Sequence, residues 1–99
     1  MTTQQKILQQ FDTHEADIRS FGVKRIGLFG SFARGQENTR SDLDVLVEFN
    51  RGQKTFDHFM DSKFFLQKLF GKKIDLVLKD SLKPSLRQRI LKEVICAGL

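Results

Sequence analysis

Residues 24–49 read KRIGLFGSFARGQENTRSDLDVLVEF, and the fold turns on how this stretch divides. One run, Lys24–Phe29, ends at Gly30-Ser31; a second starts with Asp42 and Asp44 and continues through Val45, Leu46 and Val47 to Phe49. The apolar content of the second run makes it a buried strand, and residues two apart in a strand share a face. Asp42 and Asp44 therefore project together, with Cα atoms about 6.5–7 Å apart. Two carboxylates side by side at the head of an apolar strand repel each other, so the arrangement calls for a cation that neutralises both. Hard oxygen donors of this kind suit Mg²⁺.

The first run is a strand over Lys24–Phe29, and Phe32-Ala33-Arg34 reads as the opening turn of a short helix. A strand followed by Gly-Ser and a helix start is an anion site. Free N–H groups and the positive end of the helix dipole favour phosphate, Gly30 permits close backbone approach, and the Ser31 hydroxyl adds a donor. Arg34 stands near enough to reach a phosphate, with Glu37 or a carboxylate of the site as its competing partners. The polar segment Gln36–Ser41 is a loop, shaped in part by Arg40 and Ser41, that turns the second strand antiparallel to the first. That topology sets Ser31 beside Asp42 and Asp44. Glu48 shares a strand face with Asp44 but lies four residues along, too far to ligate.

Taken alone, Asp42 and Asp44 also suit a turn-capping aspartate ahead of a surface strand. Gly30-Ser31, ten intervening residues, then Asp42-Leu43-Asp44 is the more specific pattern. It resembles the signature of the nucleotidyltransferase superfamily that includes DNA polymerase beta, and in particular its minimal nucleotidyltransferase (MNT) branch. The resemblance covers roughly Val23 to the C-terminal helix. It implies a third carboxylate from a later strand, matched by Asp75 in Lys73-Ile74-Asp75-Leu76-Val77-Leu78. It also implies Asp42, Asp44 and Asp75 as catalytic metal ligands, Gly30 and Ser31 as holders of the β- and γ-phosphates of ATP, and Asp75 as the candidate base. Topology agrees on Asp75: a strand over Ile74–Leu78 after a crossover helix runs parallel to the Leu43–Phe49 strand, which brings the two strand starts together.

Outside this core, Gln4–Ser20 reads as a helix with Ile7, Leu8, Phe11 and Ile18 roughly on one face, Thr2 or Thr3 as cap and Gly22 beyond its end. His14 within it has no companion at a ligand spacing and reads as a solvated position. Thr55 caps a helix to Phe70 that stops at Gly71, and its apolar set, Phe56, Phe59, Met60, Phe64, Leu66, Leu69 and Phe70, is wider than one helical face. That width suits either burial behind a small sheet or a docking surface. Pro84 opens a last helix, Ser85–Ala97, whose Lys83, Arg87, Arg89 and Lys92 form a solvated side. The fold class expected is α/β (α+β), a small mixed three-stranded sheet with flanking helices in the order α-β-α-β-α-β-α.

The 99 residues make one domain, 1–99, with room for one core and no separate acceptor domain. Seventeen Lys and Arg against twelve Asp and Glu give +5, which draws polyanions without identifying one. Cys96 is the single cysteine, which excludes a disulfide framework and a cysteine-rich zinc site and fits a reducing cytoplasm. The N-terminus has no apolar signal region, and no apolar run reaches the length of a membrane span.

Resemblance to the MNT branch implies a function: the antitoxin of a HEPN–MNT toxin–antitoxin pair, moving AMP from ATP to a tyrosine of a HEPN ribonuclease partner, with Mg²⁺ as cofactor and a hetero-oligomer as the working state. Other readings of the residues are transfer to a small molecule or nucleic acid, and a non-catalytic basic module that masks a partner. Arg51 and His58 also fit the Arg-x(4–6)-His pattern of HEPN nucleases, but those need an all-helical scaffold and three strands argue against one.

Overall fold

The computed structural model describes residues 1–97; the last two residues of the expected 1–99 domain lie outside the described residues. Along the chain run α1 (Thr3–Thr13), α2 (Glu15–Ser20), β1 (Val23–Phe29), α3 (Gly30–Arg34), β2 (Leu43–Phe49), α4 (Phe56–Phe70), β3 (Ile74–Leu78), a 3-10 turn (Lys79–Ser81), α5 (Pro84–Glu93) and β4 (Ile95–Cys96). The sheet order is β3-β2-β1-β4. β1 and β2 are antiparallel with Phe29 opposite Asp44, whereas β2 and β3 are parallel with Asp44 opposite Asp75. Both pairings are those the sequence predicts.

Alternation decides what each face carries. Ile26 and Leu28 of β1, Leu43, Val45 and Val47 of β2, and Ile74 and Leu76 of β3 are buried in one cluster with Ile7, Phe11, Ile18, Phe32 and Leu66 from the helices. The positions between them, Asp44, Leu46 and Glu48 on β2 and Asp75 on β3, are left for the other face. The α4 helix is stapled at both ends, by the Thr55 hydroxyl accepting the His58 N–H at 3.1 Å and by Gly71 in the left-handed region, as its sequence predicts.

Two helices differ from expectation, and one difference adds a strand. The first helix is divided at His14, where Asp12-Thr13-His14 is a run of low helix propensity. The division still places Ile7, Phe11 and Ile18 in the core, and the His14 ring lies edge-on to Phe65. The last helix stops at Glu93, not Ala97, because Val94 adopts extended backbone and the chain pairs with β1 as β4. The sheet is therefore four-stranded, not three-stranded. Gly27 leaves room for this: a Cβ there would lie 2.6 Å from Val94 Cγ2 and 3.3 Å from the Ile95 carbonyl, crowding the chain where it settles against β1. Among the described residues no helix is long and apolar enough to cross a membrane.

Candidate active site

The site forms at one end of the open sheet face, where β1 finishes and β2 and β3 begin. Parallel register brings Asp44 and Asp75 side by side. Asp44 is half-buried and Asp75 exposed. Burial first, then the adjacent Asp75, then the charge of Asp42 push the Asp44 carboxyl up to about 6, against an opposing pull from Arg34. Asp42 acts on Asp44 through its charge but does not close on it. Its exposed carboxylate lies 3.9 Å from Lys73 Nζ.

Gly30 is buried between this pair and the rest of the turn, at φ +74. A side chain at residue 30 would collide with the Asp44 carboxylate, so the glycine is required by Asp44 as well as by any incoming phosphate. Ser31 follows, half-buried on α3, and accepts the Gln36 N–H at 2.8 Å through its backbone carbonyl. The loop behind it is shaped as its sequence predicts: the Ser41 hydroxyl accepts from Asn38 N–H at 2.9 Å, and Asn38 Oδ1 accepts from Arg40 N–H at 2.8 Å. Glu48 is engaged elsewhere, 3.8 Å from Lys79 and 4.0 Å from Arg25.

Arg34 takes a partner that neither sequence alternative named. Its Nη1 donates to both carboxylate oxygens of Glu93 at 3.1 Å, and Glu93 Oε1 also accepts the Gly30 N–H at 2.8 Å. Burial pushes the Glu93 carboxyl up, but the Gly30 N–H and the Arg34 guanidinium outweigh it and hold the group below its usual range. Sequence reasoning missed Glu93. Its only signal is one acid closing an otherwise basic helix, 59 residues beyond Arg34.

A divalent cation fits the donor set. Asp44 and Asp75 are oxygen donors set side by side, and a cation between them would relieve the repulsion that raises the Asp44 carboxyl. Among the described residues no three carboxylate, imidazole or thiol side chains gather into a cage; Asp44 and Asp75 stand as an adjacent pair of carboxylates with Asp42 at the margin. Such an open arrangement leaves coordination positions for substrate oxygens.

The model of the nucleotidyltransferase domain family matches residues 5–96. The chain is 36% identical over 96 residues to the protein adenylyltransferase MntA of Thermococcus cleftensis, covering 96% of each. Its structure superposes on that of a minimal nucleotidyltransferase with a TM-score of 0.81 at 32% identity, covering 95% of both chains. The fold is also that of a chain in the complex of tri-AMPylated Shewanella oneidensis HEPN toxin with MNT antitoxin (TM-score 0.62, 18% identity, 90% of this chain and 70% of that one).

Proposed function

Since the chain belongs to the nucleotidyltransferase domain family, we propose that it transfers AMP from ATP to a hydroxyl group, that of a tyrosine, on a partner HEPN ribonuclease toxin, and so acts as the toxin's antitoxin in the cytoplasm. The observation that carries the reading is the Asp44–Asp75 pair set against Gly30. The adenylyltransferase relative, matched almost end to end, supports AMP as the group moved and a protein as its acceptor.

The residues divide the work. Ser31 presents its backbone N–H and hydroxyl to the terminal phosphates, while Gly30, whose own N–H is held by Glu93, lets them approach the turn closely, which orients the α-phosphate toward the carboxylates. Asp44 and Asp75, with Asp42 at the margin, would hold Mg²⁺, which when bound would supply positive charge to the triphosphate and acidity to the attacking hydroxyl. Asp75, the more exposed of the adjacent pair, receives the acceptor's proton. The acceptor oxygen bonds to the α-phosphorus, the bond from that phosphorus to the bridging oxygen breaks, and pyrophosphate leaves with the electron pair.

Docking of the toxin is assigned to α4, where Phe56 and Phe64 are 77% and 56% exposed while Leu66 of the same helix is buried. The test is transfer of labelled AMP from ATP to a co-expressed HEPN partner. Mg²⁺-dependent labelling lost in the Asp42→Asn/Asp44→Asn double variant is the expected result; labelling that survives both substitutions refutes the proposal.

A further inference from the structure

We propose that Glu93 is a positioning residue for the nucleotide cradle, clamping α3 so that Ser31 is presented beside Asp44; the inference rests on the nucleotidyltransferase reading above. Three observations converge on it. First, α3 is a helix of five residues, too short to hold itself together, and Glu93 binds both of its ends: the N–H of Gly30, its first residue, and the guanidinium of Arg34, its last. One carboxylate thus spans the whole turn.

Second, the β1–β4 register puts Glu93 there. Cys96 lies opposite Gly27 and Ile95 opposite Leu28, so the same ladder continued by two residues sets Glu93 opposite Gly30. At that point the partner chain is already helical, so the strand ladder does not continue. The Gly30 N–H, directed to the β4 side, takes the Glu93 side chain instead, which satisfies a buried donor that would otherwise be costly. Third, Gly30 is confined from the opposite side by the Asp44 carboxylate. Glu93 therefore lies across β1 from Asp44 and Asp75. Its place is behind the turn, where it braces the cradle and touches neither acceptor nor reacting phosphorus.

The experiment is steady-state AMP transfer to a co-expressed HEPN partner, separating KM for ATP from kcat, with thermal midpoints recorded for each variant. Glu93→Ala raises KM for ATP about tenfold and changes kcat less, the loss expected for charge-assisted hydrogen bonds that organise binding. Glu93→Gln keeps an acceptor for the Gly30 N–H and returns KM toward wild type; the Gly30 amide resonance shifts in Glu93→Ala and is restored in Glu93→Gln. Should Glu93→Ala not fold, Glu93→Asp, one methylene short of reaching both ends of α3, carries the same expectation at about threefold. An unchanged or lowered KM in the folded Glu93→Ala or Glu93→Asp variant overturns the brace. Wild type that takes up no Mg²⁺-ATP at all fails the underlying reading instead, so the two failures are distinguishable.

Discussion

Asp44 carries the most tension of any residue in the site. Its carboxyl, raised from 3.8 to about 6, binds a proton more readily folded than unfolded. Without a divalent ion the fold therefore keeps its full stability below the unfolded value and loses it as pH rises from about 4 through about 6. The loss is about 2 kcal/mol once solvent screening is allowed for. Thermal melts in chelator should accordingly place Asp44→Asn above wild type at pH 7, by roughly 10 °C, and level with it near pH 3. Added Mg²⁺ should raise the wild-type midpoint at pH 7 and leave Asp44→Asn nearly unmoved. Equal midpoints for the two proteins in chelator at pH 7 would count against a strained carboxylate pair. Gly30 is constrained by the same group: Gly30→Ala imposes both an unfavourable backbone angle and a collision with Asp44, so AMP transfer should fall at least about a hundredfold, with a stability loss of about 1–3 kcal/mol read from denaturant melts.

At the scale of elements, the strands that carry the aspartates could be read from the sequence and the C-terminal strand could not. Val45, Leu46 and Val47 between Asp44 and Phe49 have one sensible conformation, and the crossover rule then sets β3 parallel to β2 and Asp75 against Asp44. Val94-Ile95-Cys96, in contrast, continues the apolar period of Leu86, Ile90 and Leu91, so a helix is the natural reading until β1 is seen to offer a bare edge. The decisive residue is Gly27, 67 positions upstream of the Val94 it receives, a distance over which local pattern carries no information. Glu93 was hidden for the same reason, since its partners are known only once β4 is in register with β1. Gly27→Val should push β4 off the sheet and cost about 1–3 kcal/mol in denaturant melts. Because β4 sets the position of Glu93, the same substitution should also raise KM for ATP; a stable, fully active Gly27→Val protein would contradict the coupling.

For the molecule as a whole, the carboxylate site and the proposed docking surface lie on separate elements. The carboxylates stand on the strands, whereas the exposed Phe56 and Phe64 stand on α4. The double variant Phe56→Ser/Phe64→Ser should bind nucleotide as wild type does while partner labelling falls at least tenfold, the scale of aromatic anchors at an interface. Nucleotide uptake lost along with labelling would mean that α4 supports the site and not the partner. The +5 charge contributes attraction for ATP and for acidic partner surfaces alike, so it predicts salt sensitivity without distinguishing them. The most direct test of the central claim is calorimetric titration of a non-hydrolysable ATP analogue into the chain with and without Mg²⁺. Binding that requires the ion and disappears in Asp44→Asn/Asp75→Asn is the predicted result; equal binding without the ion, or by that double variant, would contradict it.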